Sequence, residues 1–346
     1  MQNLSAVSTF VSEKKHHKMG KTYIITGANG HLAQTIIGKL KEKDCEIRGL
    51  ILPTEHNEDS GNVRYYKGDI TKPDTMEALF SGIDGAETIV IHAAGLITIG
   101  NEITTALYNV NVVGTRNMIE ICKRYNVSRM VYVSSVHAIS EGDGLRVIKE
   151  TKSFSKDQVQ GAYAKTKAEA TQAVMAAIAE GMDAVVVHPS GILGPGDDGR
   201  NHITQLIQSY LNGKLPGGVT GGYDFVDVRD VADGIIAAAE KGRKGETYIL
   251  SNRFIPIPDL MQYMQKATGG PKKICFPLSL AKMMAPVFEL TGKVTNTRPL
   301  FTRYSLHTME ANGRFCHDKA TMELGYSPRD MMDTVRDTID YLRSRA

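Results

Sequence analysis

Short apolar runs alternate with stretches of helical periodicity along most of this 346-residue chain. Thr22-Tyr23-Ile24-Ile25 is β-branched and aromatic and reads as a buried strand. Beyond it, Ile36, Ile37 and Leu40 recur at helical spacing and predict a helix over 34–43. The alternation continues, with strands predicted over 46–52, 62–67, 88–91, 130–133, 183–188 and 246–250. Helices are predicted over 76–80, 102–125, 162–180 and 232–241. Thr71-Lys72-Pro73-Asp74, with an early Pro and an acid three residues after Thr, is a start signal for the helix at 76–80. Apolar strands separated by helices imply parallel pairing with both faces covered. The pattern predicts an α/β fold, a doubly wound parallel sheet whose ligands sit outside the carboxyl ends of its strands.

Two clusters of residues fall at those strand ends. Thr26-Gly27-Ala28-Asn29-Gly30-His31-Leu32-Ala33 joins the first strand to the first helix. Gly27 lets the chain fold tightly, and Gly30, lacking a side chain, lets a diphosphate approach the helix N-terminus. The spacing G-x-x-G-x-x-A departs from G-x-G-x-x-G, and Ala33 stands where a third glycine would allow closest packing. Taken alone, such a turn also suits other α/β proteins. The second cluster is Tyr163-Ala164-Lys165-Thr166-Lys167, where residues four apart share a helix face. A phenol titrates near about 10 in water, and a neighbouring cation favours its ionised form. Tyr163 is therefore a candidate acid–base group. An isolated Y-x-x-x-K often marks an exposed pair, but here the strand at 130–133 ends in Ser134-Ser135, which puts hydroxyls at the same edge.

Composition narrows the classes. Hydrophobic residues make up 42% and charged residues 23%, ordinary globular usage that argues against disorder. A net charge of +3 is too small to point to nucleic acid or an anionic membrane as partner. Cys45, Cys122, Cys275 and Cys316 form no C-x-x-C pair, as expected of reduced thiols in a cytoplasmic protein without a metal site. No apolar run approaches the roughly 18 residues that span a bilayer; the best, 274–290, is broken by Pro277, Lys282 and Pro286. Residues 1–18 read as a flexible extension, in which His16-His17 is either solvated or a metal-binding pair. Met19 is an alternative start.

In this order, the glycine turn, the strand-end serines and Y-x-x-x-K resemble the extended branch of the short-chain dehydrogenase/reductase superfamily, which has a Rossmann fold. The resemblance runs from about Lys21 onward. Gly68-Asp69-Ile70 is similar to the adenine-contacting turn after the third strand, and His92-Ala93-Ala94-Gly95 to the H-x-A segment beside the cofactor. Asn109-Val110-Asn111-Val112-Val113-Gly114-Thr115 resembles the N-V-x-G-T motif. Pro189-Ser190-Gly191-Ile192-Leu193-Gly194-Pro195-Gly196 resembles the loop that passes the nicotinamide. The resemblance implies cofactor contacts at Gly27, Asn29, Gly30, His31, Leu32, Asp69, Ile70, Ala93, Ala94, Gly95, Pro189 and Ile192. It implies that Tyr163 moves the substrate proton, that Lys167 lowers the Tyr163 pKa and holds the nicotinamide ribose, that Ser135 rather than Ser134 polarises the substrate oxygen, and that Asn111 is the active-site asparagine. His137, two residues beyond Ser135, either lines the pocket or is a surface or packing residue.

The family's NAD users carry an acid at the end of the second strand and many NADP users a basic residue; Ile51-Leu52-Pro53 offers neither. A 2′-phosphate without a basic partner is a poorly compensated near-dianion, whereas a missing acid forfeits one ribose hydrogen bond, which favours NAD over NADP. Arg48, Lys39 and Lys43 are the basic residues that could reach round. Residues 19–195, joined by 226–252, are expected to form the dinucleotide domain, and 196–225 with 253–346 a substrate lobe rich in Tyr210, Tyr223, Phe276, Met283, Met284, Phe288, Phe301 and Tyr304. A closing helix over 329–343 carries Met332, Val335, Ile339 and Leu342 at helical spacing. The resemblance implies an NAD(P)-dependent oxidoreductase acting on a small apolar ketone or alcohol, like the dihydroflavonol reductase and 3β-hydroxysteroid dehydrogenase group. A nucleotide-sugar epimerase would carry R-x-x-N-x-Y-G-P where this chain has His188-Pro189-Ser190-Gly191-Ile192-Leu193-Gly194-Pro195. A third reading is a cofactor-sensing protein without catalysis. The resemblance also implies a homodimer built on the helices at 102–125 and 162–180, with Ala168, Ala173, Ala176 and Ala177 permitting close approach.

Overall fold

The first apolar run becomes β1 (Thr22–Thr26), buried along its whole length. The computed structural model describes residues 20–98, 100–142, 146–197, 199, 201–283, 303–310 and 313–345. The extension at 1–18 and Met284, Phe288 and Phe301 lie outside these residues, as does the Tyr304 side chain. After β1 come α1 (His31–Leu40), β2 (Glu46–Ile51), β3 (Val63–Lys67), α2 (Glu77–Phe80) and β4 (Thr88–His92). Next are α3 (Thr105–Tyr108), α4 (Gly114–Arg124), β5 (Arg129–Val133), α5 (Ala162–Ala179) and β6 (Ala184–Pro189). Then follow β7 (Gly191–Leu193), α6 (His202–Leu211), β8 (Gly218–Val219), β9 (Gly222–Asp227), α7 (Val228–Lys241), β10 (Thr247–Leu250) and β11 (Arg253–Pro256). The chain closes with α8 (Ile257–Thr268), β12 (Cys275–Phe276), α9 (Arg303–Glu310), α10 (Asp318–Leu324) and α11 (Met331–Ser344).

Seven strands form the main sheet in the order β10-β6-β5-β4-β1-β2-β3, every neighbouring pair parallel. Strand order reverses between β1 and β4, the crevice where such sheets take their ligands. One apolar layer, with Ile25, Ile36, Val131 and Ile235, fills the α1/α7 face; another, with Ile24, Phe80, Met118 and Val174, fills the α2/α4/α5 face. The predicted doubly wound architecture is what forms. A three-stranded sheet, β11-β9-β7, carries a third core with Leu193, Leu260 and Ile339.

Local chemistry moved several boundaries. The helix expected over 102–125 starts at Thr105, because the Thr104 hydroxyl accepts from the Leu107 N–H. It also contains a π-helical turn at Asn109–Val113. The helix expected from 232 starts at Val228, because the Asp227 carboxylate accepts from the Arg229 N–H at 2.8 Å. Part of the segment read as a loop over 189–196 is β7, parallel to β9. In α11 it is Met331, not Met332, that joins Val335, Ile339 and Leu342 in the core. Ala168 and Ala177, expected at a dimer contact, are buried in this chain's own cores and Ala173 is half-buried against one of them, which leaves Ala176 exposed on α5. Among the described residues no helix is long and apolar enough to cross a membrane.

Two glycines near the cradle make a matched test. Gly27 has φ +67°, and a Cβ there would lie 2.9 Å from the Ala94 Cα. Gly38, within α1, is exposed and has open space around it. Gly27→Ala is expected to lower stability by at least ~2 kcal/mol, from left-handed strain plus the backbone clash. Gly38→Ala is expected to raise it by roughly 0.5–1 kcal/mol, the helix preference of alanine. Urea unfolding of the two variants checks the opposite signs.

Candidate active site

Thr26, the last residue of β1, ties the cradle together. Its hydroxyl lies 2.8 Å from His92 Nδ1 and accepts from the Ala94 N–H at 3.1 Å. His92 Nε2 lies 3.1 Å from the Thr115 hydroxyl, which itself donates to the Asn111 carbonyl at 2.7 Å. With that proton spent, Thr115 accepts from Nε2–H, and the bare Nδ1 accepts from Thr26. One tautomer satisfies every group. Burial, and then the Lys167 charge, depress the His92 pKa to about 3, so the ring is neutral.

The glycine turn that follows fits a diphosphate. Gly30 caps α1 in extended conformation, with no side-chain cap and no acid in the first turn. A Cβ on Gly30 would meet the Gly27 carbonyl and nothing else within 4 Å, so the bare face of the turn opens outward. Asn57 donates to the Asn29 side chain, pinning the turn to the loop after β2. His31 reaches away from the turn, donating from Nε2 to the Pro195 carbonyl at 2.8 Å beyond β7. Leu32 packs partly against the α1/α7 core. Ala93 and Ala94 are half-buried and Gly95 is exposed.

Beside Gly95 stand the other candidate groups. A Cβ on Gly95 would lie 3.4 Å from Lys167 Nζ and 3.5 Å from Asn111 Oδ1. Asn111 sits in the π turn, clasps Leu96 through both its N–H (2.8 Å) and its carbonyl (3.0 Å), and donates to the Thr166 hydroxyl at 3.1 Å. Ser134 and Ser135 point apart. Thr171 gives its proton to the Lys167 carbonyl at 2.7 Å, so the buried Ser134 hydroxyl donates to Thr171, also at 2.7 Å. Ser135 Oγ accepts from the His137 N–H at 3.2 Å, and its hydroxyl stands close enough to Tyr163 to favour the ionised phenol. The structure thus brings Ser135, Tyr163, Lys167, Asn111 and Gly95 together and turns Ser134 inward.

The electrostatics differ from the expectation that Lys167 makes the phenol acidic. Burial pushes Tyr163 up to about 12, opposed by the neighbouring Ser135 hydroxyl. Burial pulls Lys167 down to about 7. Its Nζ donates to the Val133 carbonyl at 2.8 Å and lies 5.0 Å from the centre of the Tyr132 ring. Desolvation of both groups outweighs their mutual attraction.

Other expected contacts are placed less directly. The Asp69 carboxylate accepts from the Thr71 N–H and hydroxyl at 2.9 and 2.8 Å, closing its own turn. The Ile70 side chain is buried against Gly114, which leaves its backbone, not its side chain, at the turn. Pro189 is buried at the end of β6, and Ile192 is half-buried in β7. The basic residues that could have met a 2′-phosphate are engaged elsewhere. Arg48 binds Glu46 and the Leu79 and Ser81 carbonyls, Lys39 pairs with Asp233, and Lys43 with Glu240. Three residues to which the sequence assigns no individual role matter here: Thr26, Thr166 and Tyr223. Their role lies in partners 55 to 86 positions away, which no local pattern signals. His137 is no surface residue; its ring meets Tyr163 edge-on, with centroids 6.0 Å apart.

Three imidazoles, two buried and one (His137) half-buried, give the fold a pH dependence. Burial lowers His92 to about 3 and His137 and His188 to about 4. In the unfolded chain each protonates near 6.5, so the unfolded state takes up protons first and stability falls as pH drops below that value. Asp224, raised to about 7 by burial, binds a proton on folding and offsets one of the three. Lys167, lowered to about 7, adds stability as pH rises from 7 towards 10.5. Calorimetry should find Tm falling steadily from pH 6.5 to 5 and not falling from 7 to 9. A constant Tm below 6.5 would contradict the neutral imidazoles.

Residues 23–251 match the NAD dependent epimerase/dehydratase family. Sterol demethylase protein B of Methylococcus capsulatus is 26% identical over 329 residues, covering 94% of this chain and 99% of that protein. The 3beta-hydroxysteroid-dehydrogenase/decarboxylase isoform 1 of Arabidopsis thaliana is 26% identical over 352 residues, covering 92% and 78%. The crystal structure of gox2253 superposes with a TM-score of 0.79 at 31% identity, covering 94% of this chain and 99% of that one. With well over half of its length matched, this chain belongs to the NAD dependent epimerase/dehydratase family.

Proposed function

We propose that this chain is an oxidoreductase interconverting a carbonyl and an alcohol on a small apolar substrate, with NAD as its cofactor. The observation that carries the reading is the placement of Ser135 beside Tyr163, one helical turn from Lys167 and at the carboxyl edge beside the glycine turn. Bound nicotinamide would supply or accept a hydride; the residues supply orientation and proton traffic. Gly27, Gly30 and the N-terminus of α1 would hold the diphosphate, with Gly95 and Lys167 beside the ribose. The His137 N–H occupies a lone pair of Ser135, which leaves the Ser135 proton for the substrate oxygen. Tyr163 then gives its phenolic proton to that oxygen.

Burial supports one direction. At neutral pH a phenol raised to about 12 carries its proton, the form that reduces a carbonyl. The exposed Leu96, Ile97 and Ile103 on the segment after Gly95 support an apolar substrate. Relatives named for sterols and hydroxysteroids agree with that. NAD is supported by Glu55, whose carboxylate accepts from the Leu52 N–H at 2.8 Å just past the end of β2, together with the engagement of Arg48, Lys39 and Lys43. A carboxylate there suits ribose hydroxyls and repels a 2′-phosphate.

Tyr163→Phe keeps the ring but removes the mobile proton. Its kcat should fall by roughly 10²–10⁴-fold in ketone reduction, with NADH affinity within threefold of the parent by fluorescence titration. Ser135→Ala should lower kcat, whereas Ser134→Ala should lower Tm and spare the rate, since Ser134 bonds Thr171. Full activity in Tyr163→Phe against steroid-like ketones, or turnover confined to nucleotide sugars, would refute the reading.

Cofactor choice is separately testable. The parent should favour NADH over NADPH by at least tenfold in kcat/KM, and Glu55→Gln should narrow the ratio severalfold by removing the repulsion. An unchanged ratio would exclude Glu55 as the discriminating group.

A further inference from the structure

One side chain at the candidate site has no task in the chemistry above. His137 follows Ser135 on a 3₁₀ turn at Val136–Ala138, and its ring packs edge-on against Tyr163. On its other side it lies nearly parallel to Tyr223 of β9, at an interplanar angle of 17°. Nε2 is 2.9 Å from the Tyr223 hydroxyl. Nδ1 has no hydrogen-bond partner among the described residues. His137 and Tyr223 line a narrow cavity with Glu141, Thr308 and Phe315.

The pairing favours one tautomer. A phenol is a far stronger acid than a neutral imidazole N–H, so Tyr223 donates and Nε2 accepts. Nδ1 then bears the ring proton and is a neutral donor beside Tyr163. We propose that His137, held in this tautomer by Tyr223, binds a second oxygen of the substrate, so that the enzyme prefers a carbonyl with an uncharged acceptor oxygen on a neighbouring carbon, such as a diketone or hydroxyketone. The donor is a neutral N–H, so it carries no charge to compensate a carboxylate, and an uncharged acceptor oxygen suits it better. A site built to donate a hydrogen bond discriminates strongly against an analogue that lacks the acceptor, because its buried donor is left unpaired.

This inference rests on the reading of Tyr163 as the proton-transfer group, and the test separates the two. Purified full-length enzyme with NADH is assayed against a cyclic monoketone and its vicinal diketone and hydroxyketone counterparts. The parent should favour the two-oxygen substrates at least tenfold in kcat/KM. His137→Phe keeps a ring between Tyr163 and Tyr223 but has no donor, and should reduce that ratio at least tenfold. Tyr223→Phe should reduce it in the same direction by freeing the tautomer. A ratio unchanged in His137→Phe, with all rates lowered together, would mean that the ring only packs, and would overturn the proposal. Tyr163→Phe with parental rates on every ketone would instead overturn the proton-transfer reading. An independent readout needs no turnover: in ¹⁵N-histidine-labelled protein, the signal lost in His137→Phe should report the Nδ1–H neutral tautomer from pH 8 to 5.5. An Nε2–H tautomer, or protonation near pH 6.5, would overturn the proposal whatever the rates.

Discussion

The neutral imidazole of His92, wedged between two threonine hydroxyls, is the constraint on which the rest of the site depends. It joins the ends of β1 and β4, where strand order reverses, to the helix that carries Asn111. Each of its nitrogens has one partner with one compatible proton, so the chain of bonds admits a single arrangement. Losing a member would leave buried donors or acceptors unpaired, at about 1–3 kcal/mol each. Thr26 also holds the Ala94 N–H, so the glycine turn and the segment after β4 are set against each other by the same hydroxyl. The cradle and the proton-bearing groups are thereby fixed in one frame before any ligand arrives.

A second set of bonds relates the smaller sheet to that frame. Asp227 ends β9, caps α7 and takes two bonds from the Arg229 guanidinium at 2.9 and 2.7 Å. Arg229 also pairs with Asp337 of α11 at 2.8 Å, while Arg329 donates to Asp230 from both its backbone N–H and its guanidinium at 2.8 Å. Burial raises the Asp227 carboxyl, but the Arg229 bonds prevail and hold it below its usual range. Networks of this kind add little net stability against apolar replacements; what they supply is a defined geometry. Here that geometry places Tyr223 of β9 against His137.

Much of this was legible in the sequence because it is local. The parallel sheet follows from apolar runs alternating with helical periodicity, and α5 presents Tyr163 and Lys167 one turn apart because four residues nearly complete a turn. What could not be read depended on distant partners. Whether Arg48 was free for a phosphate turned on the carbonyls of Leu79 and Ser81, more than thirty residues on. Whether Lys167 made Tyr163 acidic turned on how deeply both are buried, and spacing alone carries no information on burial. The carboxylate of Glu55 was not foreseen at the end of β2 because it stands three residues past Leu52 and is brought back to the strand end by a fold in the loop. β7 was read as loop because three residues are too few to show a period.

The π-helical turn at Asn109–Val113 bears on how this chain can change over time. Such a turn is a helix with one residue too many, and it lets Asn111 reach both Leu96 and Thr166. Removing one residue would let the turn relax to regular winding with the segments on either side still in phase, so Thr115, Met118 and Cys122 would keep their faces. The cost would fall on Asn111, which would lose its reach to Leu96 and Thr166. The turn is therefore the place where this helix can lose a residue without disturbing its core face, whereas a deletion in the regular winding of α4 would rotate everything beyond it by about 100°.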